Sequence, residues 1–398
     1  MAARRAQRAV VVGGSMGGLT AGLLLGELGW RVDVLERSPR PLEGRGAGIV
    51  LQPDTVRWFA EHGGTEAVER VSTGSSHLRY LGADDQVVYD EPSTWRFTSW
   101  TATYRALLDD FGTDAYHLDS HVAEVDQDDR AVTLRLTDGR VEHADLVVFA
   151  DGISSTGRRR LLPEVTPRYS GYVGWRGTVP EAEVTARTRA LLHDAVTYAT
   201  APRTHIVMYP IPGRDGGLTL GSRDLNHVWY RNVPEGPELD EVLTDRRGQL
   251  CPVSVPPGSV QDRHVEELRA SARELLPPAA AELVLRTAEP FIQPVLDIEV
   301  PRMAFGRVCL IGDAAFAARP HAAAGTAKAA SDAWALADAL RDTDGDVVPA
   351  LGKWEPGRLQ VGRDLLERVR EMGRHYQVDS DADPTDRNLR FGLYGPDH

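Results

Sequence analysis

The run Gly13-Gly14-Ser15-Met16-Gly17-Gly18 lies between an unbroken apolar stretch, Ala9-Val10-Val11-Val12, and a segment carrying Leu19, Leu23 and Leu24 on one side. A continuous apolar run of this kind predicts a strand buried on both faces, as in a parallel sheet between helices. The leucine spacing predicts a helix closed by Gly29, and Val32 to Leu35 is the next strand. This strand-turn-helix-strand order calls for an α/β, doubly wound (Rossmann-like) fold. In that fold the turn opens a helix, where backbone N–H groups hold a dinucleotide pyrophosphate. Gly13 permits the tight turn and Gly18 the close helix-to-strand packing; the middle position, normally glycine, holds the small residue Ser15. Glu36, at the end of the second strand, is placed to accept hydrogen bonds from an adenosine ribose. That fits FAD or NAD and disfavours NADP at this site.

Two later apolar runs end alike. Leu146-Val147-Val148-Phe149 leads into Ala150-Asp151-Gly152, and Val308-Cys309-Leu310-Ile311 leads into Gly312-Asp313. Between them, Tyr172 to Gly177, Thr204 to Tyr209 and His227 to Arg231 are β-rich segments separated by Pro and Gly turns, which predicts an inserted sheet. After Gly325, the spacing of Trp334, Leu336, Ala337 and Leu340 predicts one helix, its Ala-rich composition suiting close packing, and Leu359 to Met372 predicts another. The chain thus divides into a discontinuous dinucleotide-binding domain with C-terminal helices (1–75, 100–168 and 285–375) and a mainly β substrate domain (76–99 and 169–284). A loosely ordered, Asp-rich tail (376–398) is expected to follow.

Composition narrows the partners. Asp plus Glu outnumber Lys plus Arg by 58 to 45 over 398 residues, a formal charge of -13 spread along the chain, which disfavours nucleic acid. Cys251 and Cys309 stand far apart, so neither a disulfide framework nor a Cys-rich zinc site is expected, and no His and carboxylate pair has metal-ligand spacing. Apolar runs are broken by Gly, Asp or Arg, and Met1 to Arg8 lacks the apolar core of a secretion signal. A soluble, cytoplasmic protein without a membrane partner is the expectation.

Asp151-Gly152 with Ser155 and Arg158 resembles the D-G-x-x-S-x-x-R segment of the class A flavoprotein aromatic hydroxylases, and Gly312-Asp313 resembles that family's G-D motif. Pro320, Gly325, Asp332 and Ala333 resemble the loop and helix that follow, with Phe316 where histidine is common and Ala323 where a first glycine is common. The resemblance implies bound FAD, with Asp151 near the pyrophosphate and the nicotinamide path and Asp313 on the ribityl chain. It also implies a helix N-terminus at Gly325 facing the electron-rich edge of the flavin. By the same resemblance, Met16, Gly17, Arg37, Val122 and Ala324 join the cofactor-binding set. Gly46-Ala47-Gly48-Ile49 forms a flavin-side loop, and Arg105, in preference to Arg45, meets the phosphates.

The segments Trp95 to Ser99, Gly171 to Gly177, Tyr209 to Gly213 and Arg319 to Gly325 extend the resemblance over nearly the whole chain, and imply a small, dihydroxypyridine-like ring as substrate. The implied reaction consumes O2 and NADH or NADPH and hydroxylates the ring through a flavin hydroperoxide, an electrophilic oxygen donor. A ring attacks such a donor well when a hydroxyl, preferably deprotonated, feeds electrons in. His321, beside Pro320, is the first candidate to orient or deprotonate it; His205 and Tyr209 are the others, since histidine titrates near neutrality and tyrosine can relay a proton. Trp175, Tyr209, Ile211 and Trp229 are candidate pocket walls. A purine or a larger natural-product phenol remains an alternative substrate. An FAD-dependent reductase remains an alternative class, and a homodimer is left open.

Overall fold

The computed structural model describes residues 6–42 and 48–398. Its first sheet has six strands in the order Ala304–Phe305, Val308–Leu310, Leu146–Phe149, Arg8–Val12, Arg31–Leu35, Tyr116–His117. All neighbours run parallel except the first hairpin. Leu146–Phe149 and its register partners, Ala9 to Val12, are buried on both faces, as continuous apolar runs require. Helix Met16–Glu27 covers one face and packs on helix Gly325–Arg341, where a Cβ on Gly17 would lie 2.9 Å from the Ala329 methyl. Small residues on both helices permit that approach, as the Ala-rich composition suggested.

The second sheet has eight strands, in the order Phe316–Ala317, Phe291–Glu299, Arg168–Pro180, Asp224–Asn232, Thr204–Ile211, Ala195–Ala201, His77–Leu81, Val87–Pro92. One face packs Val173, Trp175, Ile206, Met208 and Trp229 against helices Asp262–Leu275 and Pro278–Arg286. The other turns Tyr172, Val207, Tyr209, Val228 and Tyr230 toward the long helix Val347–Arg374 and the cofactor-binding half. Because alternate residues point to opposite faces, the expectation that Trp175 and Trp229 wall the pocket fails: each is one residue out of phase with the cavity face. Ile211 shares Tyr209's face but stops short of the cavity lining.

Two expected boundaries also move. Phe291–Glu299 is an interior strand of the second sheet, so that domain runs past 284, while Arg96–Ser99 pairs with Gly48–Leu51 and Thr73–Gly74 in a small separate sheet. The tail is not loose. After a π-helical turn at His375–Asp379, Tyr376, Leu389, Phe391 and Leu393 are buried against the second sheet and the long helix. Tyr376 and a cluster of alternating apolar residues near the end of a polar segment hold it. Among the described residues, no helix is long and apolar enough to cross a membrane.

Candidate active site

Gly13, Glu36, Asp151 and Asp313 all follow the carboxyl ends of parallel strands, where open α/β sheets bind ligands. Two cavities lie there. One of about 200 Å³ is walled by Gly13, Ser15, Glu36, Arg37, Val122, Asp151 and Gly152. The other, about 410 Å³, is walled by Gly48, Ile49, Asp313, Pro320, Ala324 and Gly325 together with His205, Tyr209 and His321. Trp100, the first residue of helix Trp100–Phe111, lines both and marks their junction.

The smaller cavity is built for a diphosphate. Gly13 has φ +107°, and a Cβ there would meet the Ala150 carbonyl oxygen at 2.5 Å; on Gly18 it would meet the Gly13 oxygen at 1.9 Å. Both glycines are therefore sterically obligatory. The Ser15 side chain caps nothing, so first-turn N–H groups of the helix are left for an anion. Glu36 accepts from the Gly14 and Ser38 N–H groups at 2.9 and 2.8 Å, which fixes its carboxylate and leaves lone pairs for a ribose. Asp151 Oδ2 accepts from Thr156 N at 2.6 Å while its buried Oδ1 has no partner. Burial raises the Asp151 pKa against these hydrogen bonds.

The larger cavity meets it through the Asp313 turn. Asp313 is exposed to the cavity, on a turn where Gly312 has φ +59° and donates its N–H to Asp332 at 2.9 Å. Lys328 and Asp332, both fully buried, pair at 2.6 Å, and Arg358 lies 3.2 Å from the other Asp332 oxygen. Arg158 donates to the Ala314 carbonyl at 3.0 Å, bracing the Asp151 segment against the Asp313 segment. Helix Gly325–Arg341 also starts without a side-chain cap, with its first residue in the cavity wall. Ala323, where glycine was expected, holds φ +51°, and Phe316, where histidine was expected, is buried against Gly362.

Of the remaining predicted cofactor residues, Met16, Gly17, Gly18 and Gly312 stand behind the walls as packing positions. Arg105 is on the exposed side of its helix and lines neither cavity. Arg45, Gly46 and Ala47 lie outside the described residues.

His205, Tyr209, Pro320 and His321 do converge in one cavity. The histidine rings are 5.4 Å apart, and His205 is stacked between Tyr230 and Tyr376. Their expected titration near neutrality does not hold: burial, aided by Arg319, pushes His321 down to about 3, and burial with His321 alongside holds His205 well below its usual value. Tyr172 Oη and His321 Nε2 are 2.7 Å apart. Tyr172 also accepts from Arg319, and burial raises its pKa, so it donates its hydrogen to Nε2. That assigns the proton to Nδ1, a buried donor without a partner. Tyr209 is likewise held protonated by burial. These groups orient and donate; they are poor proton acceptors at neutral pH.

Trp100, Arg176, Tyr230, Gln293, Tyr376 and Phe391 also line the cavity and were not among the predicted site residues. Arg176 and Tyr172 share a strand face four residues apart, a relation readable once the phase of the strand is known.

The site is that of a dinucleotide-dependent oxidoreductase, with a carboxylate, Asp313, open to the second cavity. Comparison with known proteins sharpens this. A family model described as FAD binding domain-like matches residues 169–297. The chain is 41% identical over 387 residues to 2,6-dihydroxypyridine 3-monooxygenase of Paenarthrobacter nicotinovorans, covering 97% of this chain and 96% of that one. It superposes with TM-score 0.92 and 40% identity on the solved 2,6-dihydroxypyridine-3-hydroxylase from Arthrobacter nicotinovorans, over 98% of each chain. Klebsiella pneumoniae HpxO, solved with FAD and uric acid, shares the fold at TM-score 0.75 and 23% identity, over 96% of this chain and 90% of that one. The chain belongs to the class A FAD-dependent aromatic hydroxylases. The uncapped helix at Ser15, the orphaned Asp151 oxygen and the open Asp313 carboxylate fit that cofactor.

Proposed function

We propose that this hydroxylase acts on a small dihydroxypyridine-like ring, with adenosine at Glu36, the pyrophosphate over Gly13 to Gly18, the ribityl chain at Asp313 and the flavin against Pro320. One observation carries the reading. His205 and Tyr209, from one strand of the second sheet, and His321, from a turn beside Pro320, meet in a 410 Å³ cavity between the flavin-side turns and that sheet, in a chain 41% identical to an enzyme named for that substrate. A cavity of that size suits a single ring beside the flavin rather than a larger natural-product phenol.

FAD held by these residues would supply, together with NADH or NADPH and O2, the electrophilic oxygen. The chain's own residues do the rest. His321 offers its Nδ1 hydrogen to a ring oxygen, while Tyr172 and Arg319 fix the imidazole tautomer from behind. Val207, Tyr209, Tyr230, Tyr376 and Phe391 exclude water from the reacting face. The first turn of helix Gly325–Arg341 offers N–H groups to negative charge on the flavin edge. Dependence on a reduced nicotinamide, kept inside cells, assigns the enzyme to the cytoplasm.

The test is NADH and NADPH oxidation with oxygen uptake by the purified yellow protein, with and without 2,6-dihydroxypyridine. Ring-dependent turnover with a hydroxylated product is expected. Bound FAD with turnover only on a purine or a larger phenol would overturn the substrate assignment.

A further inference from the structure

Arg176 is the unexplained group of the larger cavity. It projects from strand Arg168–Pro180, between Val228 and Phe291 on the neighbouring strands, and lines the cavity with Tyr209, Tyr230 and Gln293. Among the described residues no carboxylate pairs with it, and its Nε is buried without a hydrogen-bond partner. The ionisable groups nearest its charge are Tyr209 and Tyr230 in the cavity and His227 on the opposite face of the sheet, bonded to Thr287. Burial pushes Tyr230 up to about 12, raises Tyr209, and takes His227 down to about 3, so none supplies negative charge at neutral pH. Among the described residues the one carboxylate in the wall is Asp313, which makes no ion pair with Arg176 and whose charge is offset by the nearby Lys328 and Arg158.

Other cationic side chains around the cavity are answered: Lys328 and Arg358 by Asp332, and Arg319 by Asp297 at 3.0 Å. A half-buried guanidinium with no counter-charge is costly unless a ligand provides one. The same cavity offers a second donor, the partnerless Nδ1 of His321, and neither histidine there accepts a proton readily.

We propose that Arg176 is the specificity-determining cation of this site, binding the substrate ring as its oxyanion, with His321 donating a neutral hydrogen bond. The ring's hydroxyl proton leaves to solvent on binding; no side chain of the cavity keeps it. Ionisation is thereby driven by a fixed positive charge rather than by a general base. The proposal rests on the hydroxylated-ring reading above and adds the charge state in which the ring is held. A cation within a few ångströms of a bound hydroxyl lowers its pKa by about one to three pH units, equivalent to a ten- to thousand-fold preference for the anion.

The experiment uses the FAD-loaded enzyme without reductant, so that nothing turns over. Two probes are titrated across pH: 2,6-dihydroxypyridine, and 4-nitrophenol, whose anion is read by its visible absorbance whatever the natural substrate. Wild-type enzyme is expected to bind both as anions at least one pH unit below their solution pKa. Arg176→Gln should lose that displacement and weaken binding at neutral pH about ten-fold or more; in a separate steady-state assay with reduced nicotinamide and O2 it should raise KM more than it lowers kcat. Arg176→Lys, which keeps the charge, should keep part of the displacement and serves if the glutamine variant loses FAD. Nitrophenol bound as its anion, with no turnover of dihydroxypyridine, would keep this proposal and discard that substrate. Dihydroxypyridine turned over but bound neutral, or an unchanged pH profile in Arg176→Gln, would overturn the proposal and leave the substrate standing.

Discussion

Asp332 offers a sharp test of how the Asp313 turn is held. It is fully buried, accepts the Gly312 N–H, pairs with Lys328 at 2.6 Å and lies 3.2 Å from Arg358. The cluster therefore holds two cations and one anion, and its response to substitution is asymmetric. Asp332→Asn keeps the shape but leaves two neighbouring cations, one fully and one largely buried, without their carboxylate; breaking a buried pair in this way costs about 3–5 kcal/mol. Lys328→Met leaves a balanced Asp332–Arg358 pair and an intact Gly312 hydrogen bond, and should cost about 1–2 kcal/mol, the scale of one lost interaction. Urea unfolding of the apoprotein measures both. Flavin fluorescence titration measures the consequence for the turn, with FAD affinity weakened about ten-fold or more in Asp332→Asn, equivalent to ~1.4 kcal/mol, and less in Lys328→Met. The double variant should be more stable than the sum of the single losses predicts, because the second change removes a charge the first left stranded. Equal costs for the two single variants would refute the charge-count argument.

Ala323 holds φ +51°, a conformation that strains a residue with a Cβ, so Ala323→Gly should gain about 0.5–1 kcal/mol in urea unfolding after the added chain entropy is subtracted; a loss would show the strain is absent. His227 and His321 have folded-state pKa values of about 3, below the ordinary 6.5, and His205 is lowered too, so the unfolded chain binds protons that the folded chain does not. Their stabilisation is complete above about pH 6.5 and is lost as pH falls from there toward 3; thermal melts over pH 7.5 to 4.5 should show a slope that flattens in His321→Gln, and an unchanged slope would count against neutral burial. Phe391 and Tyr198 line both the 410 Å³ cavity and an adjoining one of about 580 Å³. Phe391→Ala should therefore admit water and release more hydrogen peroxide per NAD(P)H consumed, measured against product formed; unchanged coupling would show that Phe391 is no barrier.

The opening strand, turn and helix were legible because their constraints are local: unbroken apolar residues, glycines with no space for a Cβ, and a carboxylate at a fixed distance along the chain. The Asp151 and Asp313 turns were legible for the same reason. What was not legible depends on tertiary context. Tyr172 to Gly177 and His227 to Arg231 are legible as strands, but which alternate residues face the cavity is not, so the residue types point to Trp175 and Trp229 where Arg176 and Tyr230 line it. The helical spacing of Val265, Leu268 and Ala272 in Asp262–Leu275 makes the insertion less purely β than its strands alone suggest. The histidine chemistry was inferred from residue type, whereas burial decides the titration. The aspartates of the tail suggest looseness, while Tyr376 and the alternating Leu389, Phe391 and Leu393 settle its place.

The strand order of the six-stranded sheet also bears on how the chain folds as it is made. Leu146–Phe149 sits between Arg8–Val12 and Val308–Leu310, and the whole eight-stranded insertion, apart from its smallest strand, is synthesised before that second neighbour exists. Through that interval Leu146–Phe149 is an open sheet edge of four apolar residues, an exposed template for pairing with other chains. Synthesis past residue 310 closes it. A nascent or truncated chain ending between the two strands is thus the form of this protein most prone to aggregate, even though each of its sheets is already largely encoded.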